Sequence, residues 1–246
     1  ELKNAQEATQ RYRDTPDEDL PAGFERDGKR HVHGFAFDKC LEGLTMHPAT
    51  WPITMELTNG KPAFTSGTLQ VNRPRAKGGG LHCAREDYGW ESCRYETRNG
   101  HIYCDYFVVF PYFDDVFPGD GGLLVVPGSH KAAFDRPRSL FNGGQITDVT
   151  NLPDGVINLT PRAGDILIIS ELLTHGILPW TPRDRIRRIL VLRYKPQHVG
   201  RPSSFPEPIA SQLSPETHEL IAHAHHTHTK EISKREIVSL SPMSGQ

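Results

Sequence analysis

The chain has 246 residues, 36% hydrophobic and 24% charged, with a formal net charge of −2. That length and balance fit one large soluble domain with a core of its own. They exclude a bulk electrostatic pull toward nucleic acid or a membrane surface, and no apolar run reaches the length of a membrane span. The 20 prolines and 22 glycines are too many for a helical bundle and suit a β-rich fold with many turns. Cys40, Cys83, Cys93 and Cys104 form no CxxC pair, which argues against a zinc knuckle and for reduced thiols. The expectation is a cytoplasmic protein that meets a small molecule, not a nucleic acid or a membrane. The chain begins at Glu1 with neither a methionine nor a signal-like segment and reads as trimmed.

In chain order, residues 1–30 are charged and polar, broken by Pro16 and Pro21, and predict a surface segment that is partly helical at best. Thr50 to Leu57 predicts a short helix, closed by the Asn59-Gly60 turn signal. Residues 1–60 together are expected to pack on a barrel. Thr65 to Asn72 has strand composition, Lys77 to Gly80 reads as a loop, and Leu81-His82 follows. Asn99-Gly100 is a second turn signal, and His101 to Tyr112 predicts one long strand. A tight loop, Pro118 to Gly122, leads into a short buried strand, Leu123 to Val126. Val156 to Leu159, Asp165 to Ile169 and Arg187 to Tyr194 predict further strands. Many short strands with Gly/Pro turns indicate a sandwich or jelly-roll barrel over 61–197.

After Pro196 the character changes. Residues 197–214 are Pro/Ser-rich and read as a linker. Residues 215–239 predict an exposed helix carrying His218, His223, His225, His226 and His228, read as a solvated tail although such tracts can bind metal.

Three dispersed residues carry the chemistry. His82 follows the glycine loop, His175 follows the strand at 165–169, and Arg187 opens the last strand. Two histidines on facing strands of a jelly roll can converge inside the barrel, where imidazoles suit iron and leave positions open for a chelating co-substrate and O₂. An arginine in the same barrel can hold a distant carboxylate through its two-pronged guanidinium.

The run Pro118-Gly-Asp-Gly-Gly-Leu-Leu-Val-Val-Pro-Gly-Ser-His-Lys131 resembles the signature loop of the phytanoyl-CoA dioxygenase family. Gly164-Asp-Ile-Leu-Ile-Ile-Ser-Glu-Leu-Leu-Thr-His-Gly-Ile-Leu-Pro-Trp180 resembles that family's segment ending on the second iron histidine, and Arg187-Arg-Ile-Leu-Val-Leu-Arg-Tyr194 its co-substrate strand. The resemblance spans roughly residues 46–197. It implies a mainly β, double-stranded β-helix (jelly-roll, cupin-like) with flanking short helices, Fe(II), 2-oxoglutarate and O₂, and an oxidation that yields succinate and CO₂. It implies His82 and His175 as iron ligands and Arg187 as the 2-oxoglutarate anchor, with Arg188 as the alternative one register step away. Asn72, Trp180 and Asp115 are candidate pocket residues, and His130 reads as a loop-fixing residue. Tyr88, Trp90, Tyr95 and Tyr103 either cap a substrate or pack the loop.

One position departs from the family's His-x-Asp pattern, because the residues here are His82-Cys83-Ala84. Ala84 has no donor atom. Three readings stay open: chloride in that place, as in the 2-oxoglutarate halogenases that carry Ala or Gly there; another group such as Glu86, Asp87, Asp105 or water; or a catalytically silent protein. Cys83 should point away from the face that His82 uses. A cupin-like metal-binding module without 2-oxoglutarate is the runner-up.

Overall fold

The computed structural model describes residues 1–88, 93–137, 140, 146, 149–199 and 204–221, except for the side chains of 87 and 88. The chain is mainly β, built from antiparallel sheets and few short helices, consistent with a cupin-like fold. The larger sheet contains β1 (Glu25–Asp27), β2 (Arg30–Val32), β3 (Pro62–Asn72), β12 (Arg187–Pro196), β7 (Phe107–Pro111) and β10 (Ile166–Ser170), in that spatial order. The smaller sheet runs β4 (Gly79–His82), β11 (His175–Leu178), β8 (Gly122–Val125) and β9 (Ile157–Asn158). A separate hairpin joins β5 (Tyr95–Arg98) to β6 (His101–Cys104) through Asn99 and Gly100, both at positive φ.

β12 shows how the sequence sets the layers. It is paired on both sides, with β3 and β7, so neither edge is free. Its alternate residues divide between two buried environments, as the two-residue period requires. Ile189 and Val191 join Val108, Phe110, Leu123, Val125 and Ile169 in an apolar layer between the two sheets. Leu190, Leu192 and Tyr194 face the other way, against Phe35, Trp51 and the N-terminal helix.

That helix, α1 (Leu2–Asp14), departs from the expected surface segment. Ala5, Ala8, Thr9 and Tyr12 are buried at helical spacing. Its buried face is made mainly of small residues, so hydropathy alone understates it. Arg188 secures the contact by donating to the Gln6 carbonyl (3.0 Å) and to Thr9 Oγ1 (3.1 Å). The N-terminal segment also adds β1 and β2 to the sheet edge, which the sequence reading did not foresee.

The expected strand 101–112 is two strands. The chain breaks at Asp105-Tyr106, where the Asp105 amide donates to the Arg94 carbonyl, and β7 then enters the main sheet. The Pro/Ser-rich stretch after Pro196 includes a short helix, Glu207–Ala210, whose Ile209 is fully buried in the core. The expected exposed helix is seen over Pro215–Ile221, where Thr217 and Leu220 are buried and His218 sits on it. His223, His225, His226 and His228 lie outside the described residues. None of the described helices is long and apolar enough to cross a membrane.

Candidate active site

The two histidines occupy neighbouring strands of one sheet, not facing strands as expected. His82 ends β4, His175 begins β11, and they are direct cross-strand partners. Directly opposed residues share a face, so the rings meet, with centroids 4.3 Å apart and planes at 52°. His175 Nδ1 lies 2.7 Å from the Leu173 carbonyl, and His82 Nδ1 lies 3.1 Å from the Gly80 carbonyl. A carbonyl accepts only, so each Nδ1 carries a proton, and Nε2 is the nitrogen left to face a metal. Burial, and then the His82 ring, push the His175 pKa below its ordinary value, which holds it neutral. Two imidazoles side by side, each oriented by a backbone acceptor, are a ready pair of metal donors.

Arg187 stands on the opposite sheet, 1% exposed. Its cross-strand partner Asn72 accepts from Nη2 at 2.9 Å and from Nε at 3.3 Å. Its guanidinium lies 5.3 Å from the centre of the Trp180 ring. Nη1 is buried with no partner. An orphaned cationic donor is costly, and an absent acceptor explains it best. Gly122 makes room for that nitrogen: its φ is +91°, and a Cβ there would collide with Arg187 Nη1.

Both groups line one cavity of about 290 Å³, near the lower end of ligand-site volumes. Phe110, Tyr112, Leu123, Ile177, Ile189 and Val191 form its apolar wall. Burial raises the Tyr112 phenol pKa, with Arg187 opposing, so the phenol stays a donor. Lys29 and Arg30 reach the same cavity from the β1–β2 hairpin. Desolvation, followed by Arg187 and Arg30, depresses the Lys29 pKa. The cavity therefore favours a small, dry anion.

The remaining expected residues distribute as follows. Asn72 and Trp180 touch the arginine and are not part of the cavity wall. Arg188 faces away from the cavity in a two-pronged pair with Asp114 (2.9 and 2.6 Å), and of the two arginines only Arg187 lines it. Asp115 is exposed and accepts from the Ala163 amide, so it fixes a loop and is no pocket group. Glu86 pairs with Arg136 (2.9 Å) and Asp105 with Arg94 (3.4 Å), and neither lines the histidine cavity; the Asp87 side chain lies outside the described residues. Cys83 points away from the His82 face, toward Glu86. Ala84 packs with Cys93 and Leu172. His130 meets the Tyr95 ring (4.5 Å) and its carbonyl accepts from Arg85, in keeping with a loop-fixing role. Tyr103 lies against Arg94 and Arg98; neither it nor Tyr95 lines the cavity. The Tyr88 side chain and Trp90 lie outside the described residues.

Sequence reasoning missed Glu171. Its Oε2 lies 3.8 Å from His175 Nε2, and its Oε1 accepts from Arg193 Nε at 2.8 Å. Its spacing of four before His175 was a visible signal, but that spacing places side chains together on a helix, not across the turn that the chain makes here. Among the described residues no three His, Cys, Asp or Glu side chains already stand in metal-holding positions. A second cleft, of about 580 Å³, is lined by Cys83, Thr174, Val126, Phe134 and Arg136 and shares no wall residue with the histidine cavity.

No family model and no curated protein matches this sequence. Solved structures do match its fold. HygX from Streptomyces hygroscopicus, with nickel and 2-oxoglutarate bound, has a TM-score of 0.63 at 20% identity over 79% of this chain and 78% of its own. The non-haem monooxygenase ThoJ, as a nickel complex, gives 0.55 at 13% identity over 80% and 69%. SnoK, a non-haem α-ketoglutarate-dependent carbocyclase from nogalamycin biosynthesis, gives 0.54 at 17% identity over 80% and 75%.

Proposed function

We propose that this chain is a non-haem Fe(II)/2-oxoglutarate-dependent oxygenase that oxidises a C–H bond of a small molecule, on a double-stranded β-helix of the phytanoyl-CoA dioxygenase type. One observation carries the reading. A single cavity is lined by two cross-strand imidazoles on one sheet, and by an arginine with an unpartnered buried Nη1 on the other. This donor set fits a divalent metal together with an elongated dicarboxylate. HygX has been captured with nickel, with iron, with 2-oxoglutarate and with hygromycin B, so this fold accommodates that chemistry.

His82 and His175 would hold the metal through Nε2, and Arg187 would bind the far carboxylate of 2-oxoglutarate. When bound, Fe(II) with 2-oxoglutarate and O₂ supplies the oxidising power and releases succinate and CO₂. The chain's own residues do the positioning. Asn72 and Trp180 fix the guanidinium, and the Leu173 and Gly80 carbonyls fix the imidazole tautomers. The Lys29, Arg30 and Arg187 charges attract the dianion. Phe110, Ile189 and Val191 would give the reacting atoms an apolar wall.

Ala84 supports a second reading, halogenation, with chloride in the place of the usual carboxylate. Anaerobic addition of Fe(II) and 2-oxoglutarate should give a weak visible charge-transfer band that disappears in His82→Ala and His175→Ala. A band that persists in those variants overturns the ligand assignment. Mass spectrometry of the product formed with and without chloride separates hydroxylation from halogenation.

A further inference from the structure

Glu171 and Ala84 are bound to each other through the backbone: the Ala84 N–H donates to the Glu171 carbonyl at 2.8 Å. The residue that lacks a carboxylate thus lies directly against one that has it. Glu171 Oε2 is 3.8 Å from His175 Nε2, the nitrogen whose lone pair is free. Two donors bound to one first-row divalent cation at about 2.1 Å each stand about 3.0 Å apart when cis and about 4.2 Å apart when trans. The observed separation falls inside that span. Arg193 engages Oε1 alone, which orients the carboxylate and leaves Oε2 directed toward the histidine. Arg193 also lines the histidine cavity.

We infer that Glu171 is the third protein donor to the metal, a carboxylate supplied from the turn after β10 in place of the side chain that Ala84 lacks. This rests on the iron reading above. The site then holds two imidazoles and one carboxylate, which is the donor set of the usual two-histidine, one-carboxylate centre. A halide is not needed for charge balance, and the Glu171 carboxylate disfavours one beside it. Hydroxylation is then the expected outcome.

The test uses Co(II) alone, in chloride-free buffer, with affinity read by calorimetry and coordination by the visible Co(II) spectrum. Wild type should bind Co(II), and His82→Ala should lose it. Glu171→Gln should weaken binding by about tenfold or more and shift the spectrum. Glu171→Asp should give an intermediate affinity. Added chloride should leave the wild-type spectrum unchanged and partly restore binding to Glu171→Gln. A folded Glu171→Gln with wild-type affinity and spectrum overturns the inference while leaving the two-histidine site intact. If that variant does not fold, Glu171→Asp decides, because unchanged affinity and spectrum there have the same consequence. A wild-type protein that binds Co(II) no better than His82→Ala refutes the iron site itself, and this inference with it.

Discussion

Arg187→Met separates a ligand-binding arginine from a structural one. In the folded protein the guanidinium is 1% exposed and forms no ion pair among the described residues. It gains two hydrogen bonds to Asn72 and a stacked contact with Trp180, set against the cost of burying its charge. Removing it strands the Asn72 carbonyl, at about 1–3 kcal/mol, and relieves a desolvation penalty of similar or larger size. The net change in stability should lie within about 2 kcal/mol of zero, or a melting shift below about 8 °C for a chain of this size. Binding of 2-oxoglutarate should respond very differently. A charge-assisted hydrogen bond in a dry site contributes about 1.5–3 kcal/mol, so its loss weakens the dissociation constant about ten- to 150-fold. Anaerobic titration of 2-oxoglutarate into the metal-loaded protein measures the second quantity, and thermal unfolding of the metal-free protein the first. A variant that melts much earlier yet binds 2-oxoglutarate within about twofold of wild type would show that Arg187 serves the fold alone.

Three further outcomes are expected. Gly122→Ala places a methyl group against Arg187 Nη1 at a φ of +91°, so stability should fall by about 2–4 kcal/mol in chemical denaturation, with 2-oxoglutarate affinity falling alongside. Asn72→Asp sets a carboxylate where the Asn72 oxygen accepts from Arg187, so it should preserve or raise the melting temperature while weakening 2-oxoglutarate binding, since the site would carry its own counter-ion. His31 is buried against Tyr12, with ring centroids 5.4 Å apart; burial, then Arg26, push its pKa below 6.5, with Arg73 adding to this and the Gly28 backbone and Asp17 opposing. The unfolded chain takes up that proton first, so the stability is complete above pH 6.5 and is lost as pH falls through it toward the folded value; melting curves from about pH 7 to about pH 5 should drop more steeply in wild type than in His31→Phe.

What was legible in the sequence follows from which strands are hydrophobic enough to announce themselves. β8, β10 and β12 are runs of Leu, Ile and Val between Gly or Pro signals, and all three were expected close to where they lie. β4 and β11 were not, because Gly-Gly-Leu-His and His-Gly-Ile-Leu have too little β-branched content to stand out from loops. They are strands because they pair with each other, which is also what brings the histidines side by side. The choice between Arg187 and Arg188 could not be made from adjacent identical residues. Asp114 makes it, by drawing Arg188 to the outer face. Lys29 and Arg30 come from a hairpin with no apolar alternation, and the buried face of α1 is mostly small residues (Ala5, Ala8 and Thr9), so neither was visible.

The charges in the cavity decide which ligand belongs there. Glu171 is oriented by Arg193, and burial pushes the His175 pKa below its ordinary value. Lys29, Arg30 and Arg187 make no ion pair among the described residues, and the first of them has its pKa depressed partly by the other two. Such an arrangement is repulsive when empty and becomes favourable when a small dianion enters. The same repulsion disfavours a cationic co-substrate. A dicarboxylate that chelates a metal at the histidines and extends toward Arg187 satisfies the orphaned Nη1 and relieves the crowding of positive charge in one step. That coincidence of two independent deficits, one of hydrogen bonding and one of charge, is why the arginine and not the histidine pair alone points to 2-oxoglutarate: a cupin-like module that held only a metal would have no need of either.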